Sequence, residues 1–188
     1  MVKVAVFASG NGSNFENLVR SNMQYANIAL LVVDKEDAYA RTRAQKLGIP
    51  CVFMNPKQFK NKALYETAII KYLKQYQIDF IALAGYMRFI GDVLLQAFPR
   101  AIVNLHPAYL PAFPGAHSII EAYEAKVSYS GVTLHYVDEG IDTGEIIKQE
   151  KVPLHPKMSF GAFERSIHKK EYEMYPRVLD SVCKEVRK

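Results

Sequence analysis

Two polar residues close a short apolar run: Asn104 and His106, within Ala101-Ile102-Val103-Asn104-Leu105-His106-Pro107. In an extended chain, residues i and i+2 face the same side, so amide and imidazole project together while Leu105 packs the other way. Pro107 stops the strand, which puts the pair at a carboxyl end, where open α/β sheets bind ligands. An amide that donates, beside an imidazole that donates or shuttles a proton near neutral pH, suits stabilisation of an oxyanion. Loop carbonyls could equally satisfy the pair. Asp142 adds weight to the chemical reading. It lies in Asp138-Glu139-Gly140-Ile141-Asp142-Thr143-Gly144, a polar, glycine-bounded loop, and a carboxylate beside a histidine favours the imidazolium. A plain hairpin turn is the competing use of that loop.

Ser9-Gly10-Asn11-Gly12-Ser13-Asn14 is a second site candidate. It follows the apolar run Val2–Ala8 and precedes Phe15, Leu18 and Val19 at helical spacing. A glycine turn ahead of a helix points successive N–H groups at one anion, so phosphate binding is its natural use. A bare tight turn remains open. So does a dinucleotide site, with Asp34 about 20 residues on, although Phe15 stands where that motif wants its third glycine.

No nucleophile presents itself. Ser13 and Ser118 lack a Gly-x-Ser-x-Gly elbow, and neither Cys51 nor Cys183 has a histidine nearby in sequence. The five histidines lack paired metal spacing, so no metal is expected. His155 and His168 read as surface residues, His135 as a packed strand residue, and His117 carries no assigned role. Direct transfer between two bound substrates is the reaction class that remains.

The elements that must position these residues alternate. Ile28–Val33, Pro50–Met54, Asp79–Ala84 and Ala101–Leu105 read as further strands. Asp37 to Leu47 and Ala63 to Tyr76 read as helices. This predicts an α/β fold, a mostly parallel twisted sheet flanked by helices in a Rossmann-like manner. After residue 100 a proline-punctuated loop, a helix from His117 to Lys126 and two alternating strands follow. Those strands, Gly131–Val137 and Glu145–Val152, pair antiparallel. Ser159 to Val186 reads as helical, broken or kinked at Pro176. One domain is expected, with a phosphate-binding half at about 1–100 and a catalytic half at about 101–188.

The 188 residues are 49% hydrophobic and 23% charged, ordinary globular usage. No apolar run approaches the roughly 20 residues of a membrane span, and the chain enters its first strand directly after Met1. Two distant cysteines form no disulfide framework. A cytoplasmic protein without a membrane partner is expected. The net charge of +5 suits anionic partners, but the Lys and Arg residues are scattered, and no nucleic acid is expected. With no evident interface helix, a monomer or weak homodimer is expected.

The turn Ser9–Asn14, Ala84-Gly85-Tyr86-Met87-Arg88, Asn104-Leu105-His106-Pro107 with Leu110-Pro111 and Pro114-Gly115, and Asp138 to Gly144 form an ordered set. In this order the set resembles the phosphoribosylglycinamide formyltransferases, a branch of the folate-dependent formyltransferase superfamily, over essentially the whole chain. The resemblance implies the formyltransferase fold. It also implies transfer of a formyl group from 10-formyltetrahydrofolate, a co-substrate, to the amine of 5'-phosphoribosylglycinamide, with neither metal nor NAD. By the same resemblance Asn104 binds the formyl oxygen and the folate, His106 acts as general acid, and Asp142 supports His106 and helps to remove the amine proton. Asn11, Gly12, Ser13, Asn14 and Glu171 would hold the ribonucleotide. Lys62, Met87, Arg88, Phe89, Ile90, Val137, Asp138, Gly140 and Ile141 would hold the folate. Ala108 and Ala112 depart from common family residues, which puts fine substrate contacts in doubt. Methionyl-tRNA formyltransferase and formyltetrahydrofolate deformylase carry additional domains, for which 188 residues leave no room.

Overall fold

The computed structural model describes residues 1–186. Five strands run parallel: β1 (Val2–Ala8), β2 (Ala26–Val33), β3 (Cys51–Phe53), β4 (Phe80–Leu83) and β5 (Ile102–His106). Two more, β6 (Tyr129–Tyr136) and β7 (Ile146–Pro153), add antiparallel to them, giving the order β3-β2-β1-β4-β5-β6-β7. The apolar runs of the sequence become the buried parallel strands, as sheets covered on both faces require.

Helices α1 (Ser13–Arg20), α2 (Ala40–Leu47), α5 (Ser118–Glu124) and α6 (Phe160–Val186) cover one face. Helices α3 (Lys62–Gln75) and α4 (Asp92–Ala97) cover the other. Neither α4 nor the 3-10 turn Pro56–Gln58 is evident in the sequence. Glu66 on α3 starts α4: its buried carboxylate accepts from Gly91 N at 2.6 Å and Leu94 N at 3.3 Å. These are among the amides that a helix start leaves without partners. Helix α2 starts at Ala40, three residues later than expected, because Ala40 N donates to Gly10 O across the glycine turn, at 3.1 Å.

Pro176 does not break α6, which runs for 27 residues with Pro176 inside. Proline removes the bond to the carbonyl four residues back, here Tyr172. That carbonyl instead accepts from Asn17 Nδ2 of α1 at 2.9 Å. A tertiary contact thus replaces the helical bond.

Register positions the chemistry. Leu83, the last residue of β4, pairs with Asn104, so β5 runs on past the end of the parallel strands. Across the antiparallel ladder Asn104 faces His135 and His106 faces Thr133. Directly opposed residues share a face, so four polar side chains gather on one side of the sheet.

Candidate active site

A cleft of about 710 Å³ opens along the carboxyl ends of β1, β4 and β5. That is the size range of small-molecule sites. The glycine turn lies at one end and the loop Val137 to Asp142 at the other.

Asp142 is the centre of the polar cluster. Its Oδ1 accepts from Asn104 Nδ2 at 3.1 Å and lies 3.5 Å from His135 Nε2. Its Oδ2 accepts from Gly115 N at 2.8 Å and lies 3.4 Å from His106 Nδ1. Burial alone would raise its pKa. The hydrogen bonds with His135 and the Gly115 amide, and the nearby His106 charge, outweigh burial and hold it at about 2. The loop reaches this position through tight turns. Asp142 adopts φ 53°, a left-handed conformation that aspartate tolerates. Asp138 Oδ1 accepts from Gly140 N at 3.0 Å and Thr143 Oγ1 at 2.8 Å. A Cβ at Gly144 would lie 1.8 Å from Tyr136 O, so only glycine fits there.

His106 is 3% exposed. Its Nε2 donates to Phe113 O at 2.8 Å, and its Nδ1 faces Asp142. Both ring nitrogens thus face oxygens, a backbone carbonyl on one side and a carboxylate on the other. The Asn104 amide likewise has two partners, Asp142 Oδ1 and, at 3.3 Å, His135 Nε2. His135 Nδ1 donates to Tyr136 O at 2.8 Å, which turns Nε2 toward Asn104 and Asp142. His135 is packed, as expected of a strand residue, but it is also part of the cluster. The spacing Thr133-x-His135 carried that signal; its register against β5 did not show in the sequence.

The glycine turn is held from several sides. Gly12 has φ 75°, and a Cβ there would lie 2.5 Å from the Ala40 side chain. Arg43 of α2 donates to Asn11 Oδ1 at 2.7 Å and Asn11 O at 2.9 Å. The Asn11 side-chain oxygen is therefore engaged within the protein. Asn14 Nδ2 donates to Glu171 Oε2 at 3.2 Å, joining the turn to α6. His168 Nδ1 donates to the same oxygen at 2.8 Å. His168 is thus no plain surface residue: it lines the cleft, one turn from Glu171, an i,i+3 relation visible in the sequence. The Glu171 hydrogen bond raises its pKa against the opposing effect of burial.

Met87, Arg88, Phe89, Ile90, Val137, Asp138, Gly140 and Ile141 all line the cleft. Lys62 is not among its lining residues; it sits beside Gly91 at the start of α3, just outside. Neither Ala108 nor Ala112 reaches the cleft; Ala108 is wholly buried, and its carbonyl accepts from Thr133 Oγ1 at 2.7 Å. Asp34 is 5% exposed and paired with Arg88, which removes the free carboxylate that a dinucleotide ribose would need.

The formyl transferase family model matches residues 2–179. This chain belongs to the formyl transferase family. Among formyl transferases, the phosphoribosylglycinamide formyltransferase of Bacillus subtilis is 48% identical over 182 residues, covering 95% of this chain and 93% of that protein. The solved phosphoribosylglycinamide formyltransferase of Streptococcus pneumoniae superposes with TM-score 0.92 at 46% identity, covering 97% and 99% of the two chains. Glycinamide ribonucleotide transformylase 1 of Geobacillus kaustophilus gives TM-score 0.93 at 48% identity, with the same coverage. The mixed sheet of seven strands is the fold of these formyl transferases. Among the described residues, no helix is long and apolar enough to cross a membrane.

Proposed function

We propose that this chain transfers the formyl group of 10-formyltetrahydrofolate to the amine of 5'-phosphoribosylglycinamide. The products are formylglycinamide ribonucleotide and tetrahydrofolate, a step of purine synthesis. The observation that carries this reading is the convergence of Asn104, His106 and Asp142 inside one cleft that is also lined by the glycine turn ahead of α1.

The reaction forms a bond from the amine nitrogen to the formyl carbon and breaks the bond from that carbon to N10. One proton leaves the amine and one arrives at N10. The amides of Gly12, Ser13 and Asn14 and the α1 N-terminus hold the phosphate, and Glu171 takes the ribose. The Met87–Ile90 and Val137–Ile141 segments enclose the folate. Asn104 gives one amide hydrogen to the formyl oxygen as it gains charge. One such donor lowers a barrier by roughly 3 kcal/mol. His106 gives a second hydrogen bond and the proton for the leaving nitrogen, exchanging its Phe113 contact for substrate, and the proton shed by the amine returns to its ring, directly or through a water, so that the exchange balances. A carboxylate with a pKa of about 2 is a weak proton acceptor, so Asp142 acts mainly as a fixed charge that holds the imidazolium.

The decisive assay follows tetrahydrofolate formation with 5'-phosphoribosylglycinamide as acceptor. Stoichiometric formylation of that amine is expected. Tetrahydrofolate release only with water or another amine would move the chain elsewhere in the family.

A further inference from the structure

Asp34 immediately follows β2, and its Oδ2 accepts from Arg88 Nε at 2.6 Å. Its Oδ1 is buried and has no partner among the described residues. Arg88 belongs to the segment that leaves β4 and lines the cleft. The same segment is tied to β1: Met87 N donates to Ser9 Oγ at 2.9 Å, and Ser9 N donates to Gly85 O at 3.0 Å. At its far end Gly91 N is fixed by Glu66. Between these ties Met87 and Phe89 stand 62% and 67% exposed.

We propose that Asp34 is a positioning residue for the folate co-substrate, acting through Arg88 to set the path of Met87–Ile90. The proposal rests on the functional reading above. Buried Tyr86 and Ile90 anchor the segment at either end, but exposed Met87 and Phe89 have little packing to fix them, so between those anchors the polar ties decide where it runs. The tie at Arg88 is the ion pair, and its carboxylate end is the fixed one, since the Asp34 side chain is 1% exposed against 41% for Arg88. An exposed pair would be worth little and would swing freely. A buried carboxylate with an unsatisfied oxygen is costly, and stability alone favours an apolar residue at that place. The pair therefore has a positional use, and losing it should change folate binding selectively.

The test is calorimetric titration of wild type, Asp34→Asn and Asp34→Ala with tetrahydrofolate and, separately, with 5'-phosphoribosylglycinamide, alongside thermal melting. Asp34→Ala should raise the tetrahydrofolate Kd about tenfold, with the isosteric Asp34→Asn, which keeps an acceptor without charge, intermediate. The ribonucleotide Kd should stay within about twofold, and the effects of Asp34→Ala and Arg88→Ala on folate binding should be less than additive in the double variant. An unchanged tetrahydrofolate Kd in both Asp34 variants overturns the proposal, as does equal weakening of both ligands. Wild type that binds no tetrahydrofolate overturns the functional reading, and this inference with it.

Discussion

Asn104 and His135 face each other directly across β5 and β6, and both reach the same oxygen of Asp142. The cluster is thus a cross-strand pair closed by a loop carboxylate. The His135 Nε2 lies 3.3 Å from Asn104 Nδ2 and 3.5 Å from Asp142 Oδ1, so His135 helps to orient the Asn104 amide and the carboxylate it is bonded to.

Replacing His135 should therefore act on turnover rather than on binding. His135→Ala should lower kcat roughly tenfold, short of the roughly hundredfold loss for Asn104→Ala, with the KM for both substrates little changed. Steady-state kinetics of the two variants, with His135→Asn as the conservative comparison, check this. Equal effects on kcat and both KM values would make His135 a packing residue only.

Asp142→Asn keeps the shape and removes the charge. Turnover should fall by roughly two to three orders of magnitude. Stability should change as well. The folded-state pKa is depressed to about 2, so its contribution is full above the unfolded value near 4 and is lost as pH falls toward 2. The size is about 2 kcal/mol. Denaturant unfolding between pH 6 and 2 should show a steeper loss in wild type than in Asp142→Asn.

His168 has the opposite sign. Glu171 raises its pKa, so its share of stability is full below the unfolded value and is lost as pH rises through the folded one. Its charge also sits at the ribonucleotide end of the cleft, with Glu171 and Glu164 as neighbouring carboxylates and Asn14 close by. The KM for the ribonucleotide should rise as pH increases through that transition. His168→Gln should flatten this dependence; a pH profile of KM unchanged in the variant would remove His168 from substrate binding.

Gly144→Ala tests the loop. The added carbon meets the Tyr136 carbonyl, which belongs to the backbone and cannot rotate away. The loop must shift, and Asp142 with it. A drop in kcat of roughly a hundredfold or more is expected, with ribonucleotide binding retained, read by kinetics and calorimetry.

Much of this was legible in sequence. The parallel half announces itself through unbroken apolar runs such as Ile28–Val33, and the spacing of Asn104 and His106 fixes their common face without any structure. What stayed hidden depends on pairing between distant segments. His135 looks like any strand histidine until its register against Asn104 is known. Asp34 lies at the distance of a ribose hook, and only the three-dimensional path of Arg88 shows its real partner. Helix α4 has six residues, too few for a periodic signal, and its start is capped from α3, 25 residues upstream.

The Asn17 bond to Tyr172 bears on how the chain acquires its native form. Proline in a helix interior costs about 3 kcal/mol, and a single replacement hydrogen bond returns about 1. The middle of α6 is therefore a poor autonomous helix. It is completed by contact with α1, 155 residues earlier in the chain. The span that carries Glu171 thus depends on α1 for its completion, and the ribonucleotide end of the cleft is held together by the docking of two segments far apart in the chain.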